Sequence, residues 1–406
     1  MSEVPELVDH LFRRQSGRMV STLTAILGSK HIQLAEDVVQ EALVRALQLW
    51  PFQGVPDNPR AWLIQVARNQ ALDRLRRDQN LASKAPEIER RMTPRDSPDT
   101  DDQLAMMFLC CHPRLPDYAR VCLTLKTVSG FSVAEIARAL LAREDAVAQR
   151  IVRAKRQIRE EGIAIRMPPP TELPERLESV LQVLYLVFNE GYSATQGPHL
   201  IRRELCDEAI YLGGLLASDP VTAAPQVHAL LALMLFQAAR FEARMDESGE
   251  LLLLPDQDRS RWDRRMIAAA FRQLDRSAAG EEVTEYHLQA AIAAEHASAP
   301  GLDQTNWTHI VQLYDQLSLR NPSPVILLNR AVAIGHLAGP AAGLAALAGI
   351  PAEPLAGYYL FHATRAFLHA SNGDKESAAE HYRKALACNC NDAERAFLDR
   401  RLLELA

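Results

Sequence analysis

Apolar residues recur at the three- and four-residue spacing of amphipathic helices along most of the chain, and no sustained alternation of apolar and polar positions predicts a strand. The pattern predicts an all-α protein. Its clearest helix is AEDVVQEALVRALQLW, from Ala35 to Trp50. One half of that helical wheel is apolar and predicts packing on another helix; it holds Ala35, Val38, Val39, Ala42, Leu43, Ala46, Leu47 and Trp50. The other half is acidic and polar, and holds Glu36, Asp37, Gln40, Glu41, Val44, Arg45 and Gln48.

Two interruptions of the helical pattern predict a division into three helical parts. The first block covers residues 4–78, and residues 79–102, rich in prolines and charges, predict a flexible linker. The second block covers residues 103–165. The proline-rich stretch 166–175 predicts a stiff joint, and residues 176–406 form a helical C-terminal extension.

One segment of the extension has the spacing of a helical repeat. In FHATRAFLHASNGDKESAAEHYRKALA, residues 361–387, the small and aromatic positions are spaced as in a tetratricopeptide helix–turn–helix unit; they are Ala366, Gly373, Ala378, Tyr382 and Ala385. The stretch LLNRAVAIGHLAGPAAGLAALAG is a weaker match. We therefore predict a tetratricopeptide-like extension, with ordinary helical hairpins as the alternative.

Charge divides the 406-residue chain more sharply than its net value of −6 indicates. Through Arg166 there are 25 Lys and Arg residues against 21 Asp and Glu, whereas the remainder has 20 against 30. A basic front and an acidic back predict different partners. No secretory signal, membrane span or CxxC pair is evident, so we expect a cytoplasmic protein without cofactor or metal. The doublet Cys110–Cys111 before His112 is read as packing rather than as a metal or redox site.

The segment SVAEIARALLAREDAVAQRIVRAKRQIR, from Ser132 to Arg159, predicts a helix-turn-helix. Ser132 and Glu135 are spaced as a capping box at the start of the first helix. On the second helix an apolar stripe predicts the buried side, and it consists of Val147, Ile151, Ala154 and Ile158. The opposite side carries Gln149, Arg153 and Arg156, with Arg150, Lys155 and Arg159 on its flanks. Arg and Gln read base edges in the major groove, although a merely solvated basic helix has the same pattern.

A second basic helix, NPRAWLIQVARNQALDRLRR, covers residues 58–77. It combines Asn69 and Asp73 with five arginines, Arg60, Arg68, Arg74, Arg76 and Arg77. An Asn among scattered arginines suits a single or melted nucleic-acid strand. Trp62 could stack on a base, but its position beside Val66 favours the core.

These two motifs, in this order and separated by a linker, resemble bacterial RNA polymerase sigma factors of the extracytoplasmic-function (group 4) class. The resemblance covers residues 4 to about 163, and the rest is similar to a subgroup with a long tetratricopeptide-like extension. LYLVFNEGYSAT, residues 184–195, resembles the signature that opens that extension. The resemblance implies a non-catalytic subunit that binds core polymerase and directs it to promoters.

The resemblance also implies roles for individual residues. The acidic face, Asp37, Gln40, Glu41 and Arg45, would dock on the clamp helices of the largest polymerase subunit. The minus-ten element would be bound by Arg60, Asn69, Asp73, Arg76 and Arg77. The minus-thirty-five element would be bound by Ala148, Gln149, Arg150, Val152, Arg153, Lys155 and Arg156. Many members carry a cation at position 148 and a larger residue at position 152, so the sequence preference of this chain is open.

The acidic extension suggests regulation in cis, and a helical repeat also suggests a protein partner. Within it, Asn189, Glu190, Gly191 and Tyr192 are read as a helix end, with a ligand or contact site as the alternative. Two other functions stay open. A stand-alone helix-turn-helix regulator would lack a polymerase-docking helix, and a repeat scaffold with a vestigial front half would lack an intact basic face.

Overall fold

The computed structural model describes residues 3–77, 99–140, 142–192, 202–246, 252–351, 355–388, 390 and 392–405. These residues form eighteen α-helices joined by turns, which confirms the predicted all-α fold. The chain divides into two compact units, Met1–Val187 and Phe188–Ala406. Within the described ranges, no helix combines the length and apolarity needed to cross a membrane.

The first unit contains both predicted helical blocks. Its helices are α1 (Glu3–Leu27), α2 (Ile32–Gln53), α3 (Pro59–Arg77), α4 (Asp99–Cys110), α5 (Asp117–Thr127), α6 (Val133–Ala139) and α7 (Glu144–Glu160). Helix α8 (Leu173–Tyr192) begins in the first unit and ends in the second.

The second unit continues with hairpins of shorter helices. They are α9 (Arg203–Ser218), α10 (Pro225–Ala238), α11 (Arg264–Ser277), α12 (Glu285–Ser298), α13 (Trp307–Arg320), α14 (Pro324–Ala338), α15 (Pro340–Ala348), α16 (Tyr359–Ser371), α17 (Lys375–Ala387) and α18 (Asp392–Leu403).

Two boundaries differ from the sequence prediction. Residues 79–98 of the predicted linker lie outside the described residues. Its last four residues form the first turn of α4, where Asp101 and Asp102 interact favourably with the positive end of the helix dipole. Helix α8 begins at Leu173, inside the predicted joint, because Pro174 is tolerated in a first turn.

The helix-turn-helix forms where the sequence predicts it. Ser132 caps α6 by accepting a hydrogen bond from the Glu135 amide, and the Glu135 carboxylate accepts one from the Ser132 amide (3.1 and 2.8 Å). All four residues of the predicted inward stripe of α7 are buried. One side of α7 is therefore fixed by the core and the opposite side is left outward.

Helix α2 buries the apolar half of its wheel with one exception. Leu47 is 39% exposed, because it lies at the edge of the apolar half, whereas the other seven predicted positions are buried. Glu36, by contrast, is more buried than its position on the wheel predicts. The sequence places it on the polar half, yet only 8% of the residue is exposed.

Glu36 is buried because the second block packs over it. The Lys155 ammonium on α7 donates to the Glu36 carboxylate at 2.5 Å and to the Gln33 side chain at 3.0 Å. The Thr127 hydroxyl donates to the other Glu36 oxygen at 3.2 Å. With 12% and 10% of their side chains exposed, Lys155 and Glu36 form a buried ion pair between the two blocks.

Backbone contacts extend this junction. The Ser29 hydroxyl, in the turn between α1 and α2, donates to the Ile163 carbonyl beyond α7 at 2.6 Å. Gly17 of α1 lies against the end of α5, so closely that a Cβ atom there would be 1.8 Å from the Val128 carbonyl oxygen. The two blocks therefore form one packed body.

Helix α8 is fastened to the second block before it enters the second unit. Arg176 donates to the Phe108 carbonyl and Ser179 to the Cys111 carbonyl, both at 2.5 Å. The buried Arg120 donates in turn to the Ser179 hydroxyl. These bonds explain why the compact units divide at residue 187, later in the chain than the proline-rich joint.

The predicted repeat segment forms the hairpin of α16 and α17. Ala366, Ala378, Tyr382 and Ala385 are buried between the helices. Gly373 makes the turn at φ +82°, which favours glycine. The weaker segment forms the similar hairpin of α14 and α15.

The buried pair gives a stability prediction. Lys155→Met leaves the Glu36 carboxylate buried without its cation, which lowers the free energy of unfolding of the first unit by about 3–5 kcal/mol. The double variant Glu36→Gln/Lys155→Met removes both charges and restores most of that loss. Urea titration with peptide-resolved hydrogen exchange measures the first unit separately.

Arg156→Met is the matched control, because its partner Glu160 lies on the same exposed face and the pair is 67% and 55% exposed. We expect this variant to leave the free energy of unfolding of the first unit almost unchanged, because exposed ion pairs contribute little. Equal losses in the free energy of unfolding for Lys155→Met and Arg156→Met would contradict the buried ion pair.

Candidate nucleic-acid interface

The outer face of α2 carries the residues predicted to dock on polymerase. Gln40 and Arg45 are exposed, and the side chains of Asp37 and Glu41 are 46% and 45% exposed. Apolar side chains extend this face toward the end of the helix, with Val44 48% and Phe52 89% exposed. The face thus combines half-exposed carboxylates with uncovered apolar surface, which is typical of protein contact sites.

The acids of this face also have a partner within the chain. Arg74 of α3 pairs with Glu41 and lies 3.9 Å from the nearer Asp37 oxygen. Gln33 donates to the other Asp37 oxygen at 2.8 Å. Arg74 therefore links α3 to α2, and its charge partly offsets the acids that an incoming cation would meet.

Helix α3 presents a polar stripe on its outer side. Asn69, Asp73, Arg76 and Arg77 are all exposed, at positions that share one helix face, whereas Leu63, Ala67, Ala71, Leu72 and Leu75 are buried opposite them. The side-chain oxygen of Asn69 accepts a hydrogen bond from the Gln65 side-chain amide at 2.9 Å. Arg60 is half-buried near the start of the helix, apart from this stripe.

Trp62 belongs to the packing of α3 rather than to its outer stripe. Its ring is half-buried and meets Trp50 of α2 edge to face, with centroids 5.5 Å apart. This contact favours the core role over base stacking.

Helix α7 exposes a compact set of the residues predicted to read duplex DNA. Gln149, Val152, Arg153 and Arg156 all face outward, and Val152 is 63% exposed. The exposed Val152 side chain lies between an amide and guanidinium groups on this face. This combination matches the mixture of groups that read bases, because an apolar side chain contacts the thymine methyl while Gln and Arg bind base edges.

Three other predicted residues of α7 lie away from that outward set. Ala148 is half-buried. Arg150 is also half-buried, with its guanidinium carbon 5.1 Å from the centre of the Tyr118 ring. Lys155 is held in the pair with Glu36. The structure thus separates four outward residues from three that are engaged in packing.

The segment Asn189–Tyr192 is a packing junction within the second unit. Gly191 lies in the last described turn of α8, one residue before Tyr192. A Cβ atom there would come within 2.9 Å of the Arg202 carbonyl oxygen and 2.7 Å of the Cys206 sulfur. The Arg202 amide donates to the Gly191 carbonyl at 2.7 Å. Glycine therefore permits close helix approach here, and the interpretation of this segment as a helix end stays a prediction.

The neighbours of Gly191 support the same junction. Glu190 lies 3.6 Å from the Arg202 guanidinium, and burial raises the pKa of its carboxyl. The Arg244 guanidinium lies 3.9 Å from the centre of the Tyr192 ring. Asn189 is exposed, and Ser193–Thr195, the end of the signature, lie outside the described residues.

The cysteine doublet lies in the core of the first unit. Cys110 and Cys111 are 0% and 1% exposed, and burial raises the pKa of the Cys111 thiol to about 11. Burial and the nearby Arg176 lower the pKa of His112 to about 4. These are the properties of packed side chains.

The sequence reasoning missed the residues that join the parts of the first unit. Glu36 and Lys155 were assigned to separate surfaces, and Arg120, Arg176 and Ser179 were not singled out. Glu36 could have been suspected, because it lies beside Ala35 at the border of the apolar half of α2.

Comparisons with known families agree with this architecture. The family model for sigma-70 region 2 matches residues 11–80, and the one for sigma-70 region 4 matches residues 105–158. A third model, a family of unknown function (DUF6596), matches residues 176–278. No solved structure matches the chain.

A curated relative extends the similarity along nearly the whole chain. An uncharacterized protein of Rhizobium meliloti (strain 1021) is 41% identical over 387 residues, which cover 93% of this chain and 91% of the relative. The three family models follow one another along the chain in the same order as the first block, the second block and the extension that begins with α8. The chain belongs to the extracytoplasmic-function sigma factors that carry a C-terminal helical extension.

Proposed function

We propose that this sigma factor engages its partners through the outward faces of three helices of the first unit. The α2 face docks on the clamp helices of the largest polymerase subunit. The α3 stripe binds the melted minus-ten element, and the outward set of α7 reads the minus-thirty-five duplex. The observation that carries the proposal is their chemistry: a half-exposed acidic and apolar face, an Asn/Arg stripe, and a Gln/Val/Arg face, each opposite a buried stripe.

We also propose that the packed first unit is the DNA-free form. The names of the two elements place them about 25 base pairs apart, or about 85 Å along B-form DNA at ~3.4 Å per pair. Helix α2 contacts α3 through Arg74 and α7 through Lys155. With its 22 residues, α2 is only about 33 Å long. Both elements therefore cannot be bound until α7 leaves α2, which also frees Lys155 for a phosphate.

Two variants with different expected effects on the affinity for core polymerase test the proposed polymerase face. Asp37→Ala/Glu41→Ala removes the carboxylates that orient the encounter with a basic coiled coil, and we expect binding to core polymerase to weaken about tenfold or more at low salt. Arg74→Ala removes the internal competitor for the same carboxylates, so binding is retained or strengthened. Surface-immobilised core polymerase with full-length variants measures both affinities.

If the acids served only to hold α3 on α2, both variants would lose the same contact and weaken binding alike. That result would contradict docking through α2. Run-off transcription from a promoter selected from genomic fragments then shows whether polymerase binding leads to initiation.

We propose, finally, that the acidic extension regulates the first unit in cis. From residue 167 onward the chain carries ten more acidic than basic residues, whereas the part before it has a basic excess of four. An attached acidic body at high local concentration competes with promoter phosphates for basic faces.

Truncation tests this regulation, provided that α8 is kept. A chain that ends after Tyr192 retains the Arg176 and Ser179 bonds to the second block, and we expect its promoter-dependent transcription to differ at least about threefold from that of the full chain. A chain that ends after Pro170 lacks those bonds and serves as the control for loss of α8. Unchanged transcription with the Tyr192 truncation would exclude cis regulation.

A further inference from the structure

The second unit contains a cavity that neither promoter binding nor polymerase docking uses. Its volume is about 330 Å³, at the lower end of the range of pockets that hold small organic ligands. Three helices line most of it, and each contributes side chains at a spacing of three and then four residues, so that they share one helix face. The outer members of these sets are Trp307 and Tyr314 of α13, Asn329 and His336 of α14, and Leu360 and Phe367 of α16.

One end of the cavity, the polar end, is formed by Tyr314 and Asn329. The Arg330 side chain of α14 donates to Asp315 of α13 at 2.6 Å, and Tyr314 and Asn329 directly precede these two residues. Because this pair joins the two helices at one level, the Tyr314 hydroxyl and the Asn329 amide lie at the same end of the cavity. Asn329 is exposed, so the polar end is at the mouth. Within the described part of the chain its amide forms no hydrogen bond.

The opposite end, the aromatic end, is formed by Trp307, His336 and Phe367. The rings of Trp307 and His336 stack with centroids 4.2 Å apart and planes 12° apart, and Phe367 lies 6.2 Å from His336. Seven residues of α13 separate Trp307 from Tyr314, which is about 10 Å at the rise of an α-helix. Fixed rings favour an aromatic guest, because offset and edge-on contacts add to simple apolar burial. The two ends therefore suit the two ends of an elongated molecule.

The Tyr314 hydroxyl is a hydrogen-bonding group that a guest can reach. Burial raises its pKa to about 12, and among the described residues it has no hydrogen-bond partner. The side chain nevertheless keeps accessible surface, and its oxygen is not one of the unpaired side-chain atoms that are sealed from solvent. A donor in such surroundings gains little from water and is costly to leave unpaired, so a guest that accepts a hydrogen bond from it is favoured over a purely apolar one.

The cavity offers no spare charge for an ionic ligand. Among its described lining residues the one charged side chain is Arg401, which is already paired with Asp256 at 2.8 Å and with Glu404 at 3.1 Å. The two histidines of the lining, His296 and His336, are neutral because burial lowers the pKa of each. A charged guest would lose its hydration without gaining a partner.

We propose that this cavity binds an uncharged, elongated small molecule that has an aromatic ring system at one end and a carbonyl group at the other. The rings lie at the aromatic end. The carbonyl oxygen accepts a hydrogen bond from the Tyr314 hydroxyl, and the amide of Asn329 is a second donor at the same end. The site would make the extension a small-molecule receptor. The proposal does not depend on the assignment of the polymerase and promoter faces, because all of its residues lie in the second unit.

Fluorescence titration of the full-length protein tests the site with 6-propionyl-2-(dimethylamino)naphthalene. This probe is uncharged and carries its carbonyl group at one end of a flat ring system, and its emission moves to shorter wavelength when it leaves water. We expect saturable binding of one probe per chain. Tyr314→Phe removes only the hydroxyl and should weaken binding about five- to tenfold, as the loss of one hydrogen bond predicts.

A second probe separates hydrogen bonding from a general effect on folding. 2-(Dimethylamino)naphthalene has the same rings without the propionyl group, so Tyr314→Phe should leave its affinity unchanged. Tyr358 lies in the same unit but is not among the residues that line the cavity. Tyr358→Phe is therefore the matched control, and it should leave the affinity for both probes unchanged. If Tyr314→Phe weakened both probes equally, or neither, the proposed hydrogen bond would be wrong.

Two further variants locate the binding site. Ala363 lines the cavity, so Ala363→Phe fills part of it and should weaken both probes about tenfold or more. Ala345 is exposed on α15 in the same unit, and Ala345→Phe should leave binding unchanged. Absence of saturable binding of the carbonyl probe, or binding that Ala363→Phe leaves intact, would overturn the proposal.

Discussion

The ion pair between Glu36 and Lys155 is the contact on which the arrangement of the first unit depends. It joins the helix that carries the proposed polymerase face to the helix that carries the proposed duplex-reading face, and both side chains are almost fully removed from solvent. A buried pair contributes modest net stability, but losing one partner is costly because the other charge stays buried. Such a contact therefore specifies one arrangement of the two blocks and can still be exchanged for another partner. In the proposed open form, a DNA phosphate would offer Lys155 an equivalent charge.

Helix α2 makes contacts on several of its sides, and these contacts account for part of its polar face. Its apolar half forms the core of region 2, Glu36 meets α7, and the acids that follow meet Arg74 of α3. These contacts are linked through a single helix. Docking of polymerase on the acidic face would compete with Arg74 and so loosen α3, the helix that is proposed to bind the melted strand.

The helices and their buried faces could be predicted from the sequence, because periodicity and capping are local. The capping box of α6 and the inward stripe of α7 are examples, and so is the glycine turn between α16 and α17. The partners of polar residues could not be predicted, because a helical wheel shows which side is polar but not what packs over it. Glu36 was therefore expected in solvent, and the close approach of Cys206 to Gly191 was not foreseen.

Promoter binding, as proposed here, requires the packed first unit to open, and this opening can be measured directly. Fluorophores introduced through non-canonical amino acids at Lys30 and Glu161 would flank the hydrogen bond between Ser29 and Ile163, so energy transfer between them reports directly on this junction. We expect efficient energy transfer between the fluorophores in the free protein and its near-complete loss in the complex with core polymerase and promoter DNA. Efficient transfer that persists in an active promoter complex would contradict it.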